Sequence, residues 1–232
     1  VSVGYESLMT NTSGGNLCAV GYKALSLNAT AADNTAVGFF ALYTNSTGHS
    51  NTAVGKHALK LNTTGHECTA IGFEALLSHT TGGGSAAHTA VGAYALDAVT
   101  TGYFNTGLGH NTGTAITTGN ENTAVGNNAL LAVTTTNQST AVGCNSLYKS
   151  TGAQNTALGW RALFECLGGA KNVGVGPQAG DAITTGDENT CIGYQADTYD
   201  GASTNQIVIG AALTATDIDN SVFIGNDTNH IQ

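Results

Sequence analysis

Several things that usually announce a function are missing from this chain. No run of eighteen apolar residues occurs, so no membrane-spanning helix is expected. Basic residues are scarce, with six lysines and arginines in 232 residues. Residues 172–232 hold eight carboxylates and no lysine or arginine, so eight of the nine net negative charges lie there. That surface disfavours nucleic acid, because phosphate contacts need Lys and Arg; the default reading is a solvated acidic end. The five cysteines (Cys18, Cys68, Cys144, Cys166, Cys191) form no CxxC pair and are odd in number, which excludes a disulfide framework or a zinc site and leaves buried free thiols. Carboxylates in the first 171 positions are scattered, and no Ser, His and Asp grouping stands out, so no enzyme and no cofactor are expected.

What the chain has instead is repetition. "NTAVGFFAL" at 34–42 returns as "NTAVGKHAL" at 51–59. Fourteen copies align on one glycine: Gly4, Gly21, Gly38, Gly55, Gly72, Gly92, Gly109, Gly126, Gly143, Gly159, Gly176, Gly193, Gly210 and Gly225. Ten of the thirteen steps are 17 residues and the others are 20, 16 and 15. A fixed short period is the mark of a solenoid. With 32 glycines the chain would read as flexible, were its 41% hydrophobic residues not locked to that period.

The columns assign the parts of each coil. The position before the glycine is always Val, Ile or Leu, and Val37, Val54 and Val125 are assigned to the core with Leu42, Leu59 and Leu130, which stand four after it. The next place after the glycine is often aromatic (Tyr5, Tyr22, Phe39, Trp160), and alternation here reads as strand. A second glycine ten after the first (Gly14, Gly48, Gly65) predicts a second corner at positive φ, hence two strands and two corners per coil. Pro177 falls at a corner, where a missing donor is harmless. Asn34 and Asn51, with Thr35 and Thr52 beside them, are read as structural ladders, one amide bonding the next. Alanine two before the glycine (Ala36, Ala53) makes the strand apolar on both faces, so a partner beyond its own coil is expected.

"NTAVGNNAL", "NTALGWRAL" and "NTCIGYQA" resemble the aliphatic-glycine repeats of trimeric autotransporter adhesin heads, the YadA-like left-handed parallel β-roll. They are still more similar to the repeats of phage and viral tail fibres and of bacterial fibrous adhesins, which often end in an endosialidase-type chaperone domain. The adhesin-head repeat is usually shorter than the one found here. The resemblance implies an all-β parallel β-roll or β-solenoid of about 14 coils, left-handed and packed as a homotrimer. It also implies an extracellular, cell-surface or virion-surface location, with a cell-surface glycan or receptor as partner.

Residues 1–197 carry the regular repeat; 198–232 keep the glycine but lose the Ala-Leu pair and read as a transition to a following module. Val1 lies inside a copy, so the chain is expected to be a piece of a longer or processed protein. Three minor features complete the candidates. Gly83, Gly84 and Ser85 form the one three-residue insertion, a candidate ligand-binding loop. His49 and His66 share a column, and Asp217, Asp219 and Asn220 are spaced loosely like a calcium loop. Copies seven and eleven, where Gly107, Gly113, Gly174 and Gly180 replace Ala and Leu, are expected weak points. An ice-binding solenoid with threonine ladders and a monomeric scaffold are the alternative functions.

Overall fold

A computed structural model describes residues 1–80, 86–216, 219–226 and 229–231 in two compact units, Val1–Glu121 and Asn122–Gln232. Each is a parallel β-solenoid with a repeat of about 17 residues, and together they hold about 13–14 turns.

In the first unit β1 (Ser2–Val3), β2 (Cys18–Val20), β3 (Thr35–Val37), β4 (Thr52–Val54), β5 (Thr69–Ile71), β6 (Thr89–Val91) and β7 (Thr106–Leu108) pair in sequence order, all parallel. The register joins like to like: Thr35 faces Thr52, Ala36 faces Ala53 and Val37 faces Val54. In the second unit β8 (Thr123–Val125), β9 (Thr140–Val142), β10 (Thr156–Leu158), β11 (Val173–Val175) and β12 (Thr190–Ile192) repeat the pattern. β13 (Ile207–Ala211) and β14 (Val222–Asn226) are longer but keep glycine opposite glycine, Gly210 on Gly225. β15 (Asn229–Ile231) folds back antiparallel on β14.

Alternation along each three-residue strand decides what is inside. The middle alanine points into the coil and is fully buried at Ala36, Ala53, Ala124 and Ala141. The threonine and valine on either side point outward. This corrects the assignment of Val37, Val54 and Val125 to the core: all three are half-buried in the single chain, and Ile71, Leu108 and Leu158 in the same column are exposed. The physical reason is the narrowness of the coil. Leu42, Leu59 and Leu130 come from the opposite wall and are wholly buried, and only a methyl group fits across from them. In copy seven, where Gly107 takes the place of the alanine, there is not room even for that: an added Cβ would lie 2.8 Å from Leu96 Cγ.

The expected second strand is absent from the coils of β1–β12 among the described residues: beyond the glycine those coils run through turns. Two nearby residues there adopt left-handed backbone, for example Phe40 at φ 55 and Leu42 at φ 49, which prevents extension. Each such residue costs about 1–2 kcal/mol. Hydrogen bonds to the turns before and after hold them in place: Phe40 N–H donates to Tyr22 O at 2.9 Å, and Leu42 N–H to Ala58 O at 2.9 Å.

Two glycine columns have different causes. Gly38 lies at φ +139 and its α-carbon faces the backbone of the next turn. The second column, Gly14, Gly48 and Gly65, is not left-handed; a Cβ on Gly48 would collide with the Gly65 carbonyl and with Asn45 Oδ1. Close approach, rather than φ, requires that glycine.

Copies seven and eleven are filled. Where Gly113 and Gly180 stand for leucine, Ile116 and Ile183 seven after the reference glycine enter the same space and are wholly buried. A Cβ on Gly113 would lie 2.8 Å from Ile116 Cδ1. The exchange of side chains removes the packing reason for weakness.

Candidate functional site

Outward-facing columns make the first candidate surface. The aliphatic column before the glycine and the aromatic column after it run side by side, and both remain open. Leu158 is 49% exposed, Trp160 48% and Ile71 39%. Tyr5, Tyr22 and Phe39 stack face to face, ring centroids 5.3 and 5.2 Å apart. Lys56 sits between Phe39 and Phe73, its Nζ 5.8 and 5.5 Å from their centroids. Thr35 and Thr52, half-buried, flank the aliphatic column on the same face of the strand.

Buried amides make the interior. Asn34 and Asn51 are within the coil, but their bonding differs from amide-to-amide stacking. Asn34 Nδ2 donates to Gly48 O at 2.8 Å, and its Oδ1 accepts the Asn51 N–H of the next turn at 2.9 Å. The true amide ladder lies in a column seven after the glycine, where Asn28, Asn45 and Asn62 donate in turn to Asn11, Asn28 and Asn45 at 3.2, 2.9 and 2.9 Å. Its signal was four asparagines at 17-residue spacing, broken afterwards by His79, Val99 and Ile116.

Two histidines occupy ladder positions. His79 follows Asn62 in the seven-after column, and His88 stands in the column of Asn34 and Asn51. Both are buried, with ring centroids 5.1 Å apart. Burial lowers both to about 4. His49 and His66 stack outside at 4.2 Å.

A polar cavity of about 280 Å³ opens in the second unit, lined by Gln178, Asp181, Gln195, Asp197, Ala212 and Thr214. It arises because the leucine column fails there: Gly180, Asp197 and Thr214 succeed Leu163. Asp197 accepts N–H bonds from Ala182 and Thr198 at 2.9 and 3.0 Å, yet burial pushes its carboxyl up to about 6. A carboxyl raised on folding contributes stability below its unfolded pKa and loses it as pH rises through about 6. Burial also raises Asp181, against the pull of Arg161 Nη2 3.4 Å away. The arrangement is an acceptor-rich hollow.

The remaining candidates do not converge. Gly83, Gly84, Ser85 and Asp217 lie outside the described residues. Asp219 Oδ1 accepts the Thr204 N–H at 2.7 Å, and Asn220 Oδ1 accepts from Asn205 at 2.8 Å, so both tie neighbouring turns together. Among the described residues no three His, Cys, Asp or Glu side chains group as metal ligands. The five cysteines are free, and burial raises Cys68 and Cys166 to about 11. No known protein family, characterised protein or solved structure matches the chain.

Proposed function

We propose that the chain is a segment of a homotrimeric fibre on a cell or virion surface, giving reach, rigidity and attachment to a host or target cell. One observation carries the reading: the unbroken aliphatic column before the glycine lies half-buried or exposed on the outside of both units, with the open rings of Tyr5, Tyr22, Phe39, Trp160 and Tyr194 beside it, where isolated soluble chains rarely keep continuous apolar surface. The ribbon repeats with the rise of the turns, about 4.8 Å each. The partner that matches such a period without slipping is a second and third copy of the same ribbon. Left-handed winding belongs to the same reading, through the resemblance to adhesin and tail-fibre repeats. Attachment then falls to variable outward positions, since the inner columns are consumed by stacking.

Native mass measurement at micromolar concentration should give three chains, and a monomer would overturn the trimer. Leu158→Asp should shift the trimer toward monomer while the far-ultraviolet spectrum stays unchanged, because that side chain is half open in the single chain. Unaltered association by this variant would place the interface elsewhere.

A second reading, an ice-binding solenoid, draws on the outward Thr and Val columns, which form a regular face on each parallel sheet. It makes the same face a water-ordering surface in a monomer. A monomer that depresses the freezing point below the melting point would favour it; a trimer without that activity would discard it.

A further inference from the structure

We propose that the turn holding His79 and His88 is an acid-sensitive joint: the two imidazoles complete the internal ladders only when neutral, and acidification opens this turn while the others stay closed. The inference concerns the interior of one coil and does not depend on the oligomer.

Hydrogen bonds fix both tautomers. Asn105 N–H donates to His88 Nδ1 at 3.1 Å, so Nε2 carries the proton and donates to Gly102 O at 2.8 Å. These are the two bonds that Asn51 makes two turns earlier in the same column, to the Cys68 N–H and to Gly65 O. His79 Nδ1 lies 2.9 Å from Asn62 Oδ1, an oxygen that also accepts the Gly65 N–H, so Nδ1 is the donor. The other nitrogen, Nε2, is buried without a partner. His79 therefore ends the amide ladder with one bonded nitrogen and one bare buried lone pair, and Val99 and Ile116 take over the column after it.

A second proton has no tolerable place on either ring. On His88 it would point Nδ1–H at the Asn105 N–H, donor against donor. On His79 it would bury a charged N–H with no acceptor. The ionisable side chains on the histidines' own turn and the two adjoining turns are Lys56, His57, Lys60, His66, Glu67, Cys68, Glu74, Tyr94, Asp97 and Tyr103. None of them offsets the charge: the one ionisable group acting on His79 is His88, and it opposes protonation. Asparagine in the same columns elsewhere has nothing to titrate. Histidines that must charge on opening make opening easier as pH falls.

The sign follows from the lowered values. Neutral in the fold down to about 4 and at the ordinary 6.5 once released, each ring gives stability that is whole above 6.5 and is lost as pH falls toward 4.

The test is amide hydrogen exchange on the whole chain, corrected for intrinsic rate, at pH 7.5 and pH 5. Protection of the Asn105 and Thr89 amides should fall about a hundredfold or more, while the Asn172 and Asn189 amides hold. The variant H79N/H88N restores the ladder residue of other turns and should abolish the fall; H88N alone should remove about half of it on a logarithmic scale. A flat wild-type profile, or an undiminished fall in both variants, would overturn the proposal.

Discussion

Replacing Leu130 by Asp should cost about 5 kcal/mol or more, enough to remove most of a domain's usual stability. The side chain is wholly buried opposite the alanine column. Its loss forfeits about 1.5–3 kcal/mol of apolar burial, and the new carboxylate finds no charge partner inside the coil, which adds several kcal/mol more. The chain itself shows what a carboxylate in this column requires. Asp197 stands there beside a polar cavity, takes N–H bonds from Ala182 and Thr198, and still has its carboxyl raised by burial. Leu130 has instead Val133 and Ala129, both wholly buried. A solenoid turn is stabilised through its neighbours, so the loss should spread to adjacent turns.

The comparison variant is Lys56→Asp, on the exposed column between Phe39 and Phe73. Losing two cation–π contacts there should cost about 1 kcal/mol. Denaturant unfolding of both variants measures the contrast. Equal losses would mean that inner and outer columns have been confused.

Confusion of that kind has a specific origin in this sequence. Period, parallel pairing and strand position follow from the spacing of the glycines, and the buried leucines follow from their column. The choice between Ala36 and Val37 as the inward residue does not. Both are apolar, period-two alternation says only that they face opposite ways, and the width of the coil settles which fits. The second strand failed for another reason: Leu42 and Phe40 are residues that give no sign of left-handed backbone. Their conformation is imposed by hydrogen bonds from turns on both sides, which a local reading does not contain. Likewise the compensation of Gly113 by Ile116 joins two columns that look independent in an alignment.

The candidate surfaces divide in the same way. The aromatic column was visible in the sequence, but its openness was not, because openness depends on the valine column lying outside. His88 stood plainly in an asparagine column. Its meaning emerged only with the carbonyl and N–H on either side of the ring, which assign one proton and leave no room for two. The cavity beside Asp197 was latent in the failing leucine column, at Gly180 and Thr214.

Gly38→Ala should be among the most damaging single-methyl additions, costing about 2–6 kcal/mol. Two independent effects add. Gly38 has φ +139, a backbone that side chains of L residues rarely adopt, worth about 1–3 kcal/mol of strain. The new methyl would also lie 2.5 Å from Gly55 O and 2.7 Å from Gly55 C. The obstacle is main chain, and it cannot step aside: the Gly55 N–H donates to Val37 O at 2.8 Å, and a methyl on Gly55 itself would meet Gly72 in turn. Overpacking against fixed backbone costs about 1–3 kcal/mol. Gly15→Ala makes the opposite case. Nothing lies within 4 Å of the added Cβ and the backbone is not left-handed, so a gain of about 0.4–1 kcal/mol is expected from the reduced freedom of the unfolded chain. Gly48→Ala should fall between them, since its methyl collides with the next turn but its φ is ordinary. Unfolding midpoints of the three variants should rank Gly15→Ala above Gly48→Ala above Gly38→Ala. If Gly38→Ala proved as stable as the parent chain, the glycine-on-glycine stacking that sets the spacing of the turns would be wrong.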